Sequence, residues 1–172
     1  MFSISRLETK NKLYYHIQIQ NSELYINDSL CNDGDRNVLK DAFKKNIQKN
    51  VSSKAKLHVN MLVFYLSIKF NIEHKNDKFI DEYLHTFRPN VISSLWNYLV
   101  TRFIKGELFK HIDLIELFEK FKEMDKDIDM YSFFILAMTY KCPELFEYWL
   151  KNSDDIVFSD IEMILRNDMD NL

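Results

Sequence analysis

A chain of 172 residues that is 47% apolar and 15% aromatic can bury a sizeable core, which excludes a disordered segment. Two glycines and two cysteines supply neither the turns of a glycine-rich sheet protein, nor a phosphate-cradling loop, nor a disulfide framework. The net charge of −3 is unevenly spread: residues 1–100 hold 14 Lys and Arg against 10 Asp and Glu, and residues 101–172 hold 9 against 16.

The chain order begins with alternation. Leu13, Tyr15, Ile17 and Ile19 point one way and Tyr14, His16, Gln18 and Gln20 the other, followed by Asn21-Ser22 and a second alternating run, Glu23 to Asn27. This predicts a β-hairpin whose apolar face lies on helices, because an isolated hairpin is marginal in water. Asp28 to Asp35, containing Gly34, reads as a loop, so residues 1–35 form the hairpin and its exit.

From Arg36 the period changes to that of a helix, with Val38, Leu39, Ala42, Phe43, Ile47 and Val51 on one stripe and Lys40, Lys44, Lys45 and Lys49 around it. That basic face carries no interleaved aromatics, which argues against nucleic acid and for a solvated helix surface. Leu57 to Ile72 is apolar on nearly every side and predicts a buried central helix. Its most apolar run, Met61 to Ile68, is far short of the roughly 20 residues that cross a bilayer. No apolar segment follows a basic start either, so a soluble, cytoplasmic chain with reduced thiols is expected.

Lys78 to Phe87 predicts an amphipathic helix stopping near Arg88-Pro89. Asn90 then caps a helix from Val91 to Ile104, with Leu95, Trp96, Leu99, Val100 and Phe103 inward. Residues 36–104 are thus a helical half, broken at Gly106 from a second half over 107–166. There Asp113 and Glu116 form a capping box for a helix to Met124, Asp129 caps Met130 to Lys141, and Pro143 opens another helix. Ser159 and Glu162 open a last helix to Arg166. The fold class is mainly α, a single domain of antiparallel helical hairpins in a solenoid-like array, with a small N-terminal β-hairpin and about eight helices.

The second half nearly repeats itself. Ile115 to Ile128 returns as Pro143 to Ile156, with Glu116/Glu144, Leu117/Leu145, Phe118/Phe146, Glu119/Glu147, Asp127/Asp155 and Ile128/Ile156 identical at an offset of 28. Within the segment Ser132 to Asp155, Leu136-Ala137, the run Glu144-Leu145-Phe146, the pair Trp149-Leu150 and the tail Asn152 to Asp155 together resemble a degenerate ankyrin repeat. The family's Thr-Pro-Leu-His turn is here Ser132-Phe-Phe-Ile135, and its two glycines fall at Lys141 and Ser153, where left-handed backbone is costly. The resemblance covers about a third of the chain and implies a protein-binding module.

The loops after the repeated helices are acidic, with Asp125, Asp127 and Asp129 in one and Asp154, Asp155 and Asp160 in the other. They form a candidate ridge for a partner protein with a basic surface; the alternative is that they cap helices and solubilise turns. The search for catalytic chemistry is mostly negative. The histidines His16, His58, His74, His85 and His111 are scattered, and Cys31 and Cys142 lie too far apart in sequence for a local zinc pair. Glu-x-x-Glu in each repeat reads as a solvated face. Cys142 stands at a helix start, where a thiol pKa falls, and is the one nucleophile to test.

The expected function is therefore non-catalytic binding of another protein, with no cofactor, metal, membrane or small-molecule substrate. An inhibitor such as an immunity protein, an antitoxin or a viral antagonist of a host factor fits this best. The alternatives are an ankyrin-like scaffold with several partners, or an enzyme of unrecognised type using Cys142.

Overall fold

A computed structural model describes residues 2–47, 52–70, 77–105 and 113–153. The chain divides into two compact units, residues 1–112 and 113–172. It is mainly helical, with seven α-helices and one small antiparallel sheet among the described residues.

Unit 1 begins with three strands, β1 (Phe2–Thr9), β2 (Lys12–Ile19) and β3 (Ser22–Asn27), in the order β1-β2-β3. The expected hairpin is the β2–β3 pair, with Ile17 opposite Leu24 and Tyr15 opposite Ile26. The additional strand β1 corrects that expectation, pairing Ile4 with Ile17 and Arg6 with Tyr15. Its turn contains no glycine; Lys10 and Asn11 take positive φ values of 44° and 67° themselves, the mirror-image geometry that suits a right-twisted hairpin. Ile4, Tyr15, Ile17, Ile19, Leu24 and Ile26 are buried on one face. That face is sealed by helices, which offsets the marginal stability of so small a sheet.

The segment after β3 is shorter as a loop than its composition implies. Asp28–Leu30 forms a 3-10 turn, and α1 (Asp33–Ile47) starts three residues before Arg36. The Asn32 side chain accepts from the Asp35 amide at 2.8 Å and caps the helix, so Gly34 lies inside its first turn. Helix α2 (Ser53–Phe70) likewise starts early, with Ser52 Oγ accepting from the Ala55 amide. Every residue from Met61 to Ile68 is buried, as the all-round apolar pattern predicts. Helix α3 (Asp77–Leu84) ends four residues before Arg88, closed by turn hydrogen bonds from Thr86 and Phe87.

Pro89–Val91 forms a 3-10 turn, and Asn90 sits within it instead of capping α4 (Ile92–Lys105) through its side chain. Leu95, Trp96, Leu99, Val100 and Phe103 all point inward, joined by Ile92. The core of unit 1 is aromatic: Phe64, Tyr83 and Phe87 meet at ring separations of 5.5–5.9 Å. The breaks expected at Gly106, the stripe residue Val51 and the helix at Ser159 to Arg166 lie outside the described residues.

Unit 2 contains α5 (Leu114–Met124), α6 (Tyr131–Tyr140) and α7 (Pro143–Asn152). Asp113 caps α5, its Oδ1 accepting from the amides of Ile115 and Glu116, and Pro143 opens α7 where its missing N–H costs nothing. The α6–α7 turn is made by Lys141 at φ 49°, ψ 48°. Cys142 donates its amide to Ala137 and Lys141 donates to Met138, the paired bonds of a Schellman cap. Ser153 is extended, at φ −93°. The repeated helices α5 and α7 meet: Tyr148 donates to Glu119, and the Phe118, Phe133 and Tyr148 rings cluster at 4.9–6.3 Å.

Candidate functional site

The repeat positions its acidic connection against the end of α7. Between α5 and α6 the backbone turns through Asp125, whose Oδ1 accepts from the Asp127 amide at 3.1 Å, and Asp129, whose Oδ1 accepts from the Tyr131 amide at 2.9 Å. Short carboxylates serve such turns because they satisfy amides that the next helix leaves unpaired. Beside this connection opens a cavity of about 500 Å³, with Asp127, Asp129 and Tyr131 on one side and Trp149, Asn152 and Ser153 on the other.

Two of the six sequence-predicted residues therefore line a concavity. Asp125 spends an oxygen on the turn, and Asp154, Asp155 and Asp160 lie outside the described residues. The wall of this concavity is not uniformly acidic, since Lys122 and Lys126 line it too. Neither lysine, nor Asp127, makes an ion pair among the described residues.

An aromatic path leads in from the surface. Tyr131 is 51% exposed and meets Phe134 at 5.8 Å; Phe134 meets Trp149 at 4.9 Å; Trp149, only 4% exposed, meets Phe146 at 5.7 Å. The sequence placed Trp149 only in the repeat pattern and assigned neither it, Tyr131 nor the two lysines to a site. The i, i+3 spacing of Tyr131/Phe134 and Phe146/Trp149 was the available signal, since such residues share a helix face.

Cys142 behaves differently from the expectation. Burial and a hydrogen bond from its Sγ to Glu144 Oε2 at 3.0 Å push the thiol pKa up, although the amides at the start of α7 pull the other way. A carboxylate that accepts the S–H favours the thiol over the thiolate. Cys31 is buried in unit 1, and its pKa rises to about 11 through burial and the nearby carboxylates of Asp35 and Asp28.

On the outer face of the sheet, His16 stacks on Tyr25 at 4.6 Å, shares a 3.3 Å contact with Ser5 Oγ and lies 3.7 Å from Glu23. The basic stripe of α1 borders a second cavity of about 380 Å³ against α2, floored by Val38, Ala42, Ala55 and Val59. Lys45 there pairs with Asp41 at 3.3 Å. Among the described residues no three metal-ligating side chains converge, and no helix is long and apolar enough to cross a membrane. Comparison with protein-family models, curated proteins and solved structures returned no match.

Proposed function

We propose that the chain is a non-catalytic protein-binding module that sequesters a basic partner, in the manner of an immunity protein, an antitoxin or a viral antagonist of a host factor. The observation that carries this reading is the cavity of unit 2, where Asp127 and Asp129 sit beside an aromatic path open at Tyr131. Exposed aromatics next to unpaired charge have the composition of a contact surface. The surplus of 16 Asp and Glu over 9 Lys and Arg across residues 101–172 adds a field that draws a cationic protein.

The solenoid-like arrangement and the likeness to ankyrin repeats belong to this same proposal. Contact between the repeated helices α5 and α7 supports them, as does the left-handed turn at Lys141, where that family places glycine. A scaffold with several partners is the second reading, and it would use the same surface.

The test uses the full-length chain, recovered with its partner from the native source. The wild type should hold one basic protein in a one-to-one complex, and Asp127→Lys should weaken that complex by at least about tenfold. Lys44→Glu, on the exposed face of α1, should leave it unchanged. Equal affinity for Asp127→Lys and wild type overturns the site, and several weak partners favour the scaffold.

A further inference from the structure

We infer that the open edge of β1 pairs with β1 of a second copy of this chain, antiparallel about a two-fold axis at Leu7, joining the two sheets into one. β1 is an outer strand: β2 holds one side of it, and no described strand holds the other. Its eight residues contain no proline, and they pair with β2 in unbroken register from Phe2 to Thr9, so no bulge turns the edge away. Helix α1 packs against β1, yet Arg6, Leu7, Glu8 and Thr9 are all exposed, Leu7 by 39%. A strand edge in this state offers its N–H and C=O groups to another strand whose side chains match.

The charges select that strand. Arg6 and Glu8 stand two apart and share one face, while Leu7 stands on the other. Neither Arg6 nor Glu8 makes an ion pair among the described residues. With the two-fold axis at Leu7, Arg6 lies opposite Glu8 of the second copy and Glu8 opposite its Arg6. Leu7 then meets Leu7, and Ser5 meets Thr9. With the axis at Arg6 or at Glu8, that residue faces its own like charge. With the axis at Ser5, Arg6 falls opposite Ile4 and Glu8 opposite Phe2, and neither charge is answered. The Leu7 register answers both charges and covers the exposed leucine, and cross-strand pairs of these two kinds are what stabilise neighbouring strands.

One strand therefore supplies both halves of each pair, which favours a second copy over an unrelated peptide. The two-fold axis also uses every complementary contact twice. Pairing through β1 leaves the one-to-one ratio proposed for unit 2 unchanged.

The test combines sedimentation of the full-length chain with cysteine crosslinking. The wild type should sediment as a dimer at micromolar concentration. Arg6→Glu sets like charges opposite each other twice and should raise the dimer dissociation constant at least about tenfold, as should Glu8→Arg. The double variant restores opposite signs and should restore the dimer. With Cys142→Ser throughout, Leu7→Cys should give a disulfide-linked dimer on mild oxidation. Opposite Cα atoms in such a pair lie about 4.5–5.5 Å apart, within the span of a disulfide. Ser5→Cys and Thr9→Cys should each give none alone and should join when mixed. Should a charge reversal unfold the chain, the cysteine set, which keeps both charges, decides. A monomeric wild type overturns the inference and means that Arg6 and Glu8 keep the edge single. A dimer indifferent to single charge reversal, or a double variant no better than the single ones, also overturns it. So does crosslinking by Ser5→Cys or Thr9→Cys alone in place of Leu7→Cys, or a different protein captured at Leu7→Cys instead of a second copy.

Discussion

Asp35 shows how one residue can tie three elements of unit 1 together. Its carboxylate lies in the first turn of α1, 3% exposed, and accepts from Arg102 Nη2 of α4 at 2.5 Å. The Arg102 guanidinium also lies over the Tyr65 ring of α2, 4.4 Å from its centroid. The second oxygen, Oδ2, has no hydrogen-bond partner among the described residues, so the helix N-terminus and Arg102 together hold the charge. Removing Arg102 strands that carboxylate in a low-dielectric setting. Arg102→Met should cost about 3–5 kcal/mol in urea denaturation, and the double variant with Asp35→Asn should recover much of it. A loss below about 1 kcal/mol for the single variant would show the pair to be solvated like a surface bridge.

The same neighbourhood sets an alkaline limit. Burial, then Asp28, raises the Tyr15 pKa from 10.0 to about 12, and burial with Asp35 and Asp28 raises Cys31 from 9.0 to about 11. Below pH 9 both groups are neutral folded and unfolded, and their contribution to stability is fully present. Above it the unfolded chain ionises first, so stability falls as pH climbs from about 9 to about 12. Thermal midpoints across that range should drop, and Cys31→Ala should flatten the lower part of the decline. A flat profile in the wild type would contradict the burial of both groups. Cys142 shares the upward shift, through burial and then its hydrogen bond to Glu144; turnover abolished by Cys142→Ala would nonetheless restore the enzymatic alternative.

At the scale of elements, what the sequence disclosed depended on how cleanly one period spoke. Strands β2 and β3, the buried run of α2, the inner face of α4, and the starts of α5 and α7 were all legible, because alternation, all-round apolarity or a cap marks each. Strand β1 was not. Ile4 and Leu7 fall on opposite faces, and its turn at Lys10-Asn11 lacks the glycine that would announce it. The start of α1 was hidden because Gly34 and Asp33 read as loop residues until Asn32 is seen capping them.

Strained turns make a further prediction. Lys141 pays for a left-handed backbone that glycine adopts freely, and the Schellman bonds around it keep it there. Lys141→Gly should stabilise the chain by about 1 kcal/mol, read as a rise in the thermal midpoint. A fall would mean that the lysine side chain contributes more than its conformation costs.

For the molecule as a whole, the charge division was plain in the sequence, while the shape that uses it was not. Asp127 and Asp129 could be picked out as loop carboxylates, but nothing local showed that Trp149, 22 and 20 positions away, would complete a cavity with them. Nor did the sequence show that Lys122 and Lys126 would share its wall. Sites assembled from separated segments are visible only once packing brings the segments together.

The claim that this cavity is where the chain meets its partner is tested most directly by a photo-crosslinking residue placed at Tyr131, compared with one at Leu7 on β1. Both positions are exposed, at 51% and 39%. Irradiation of the native complex should join the partner at position 131 and not at position 7, and Asp127→Lys should abolish the product. A partner captured at position 7 alone, or captured at 131 regardless of Asp127→Lys, would contradict the account.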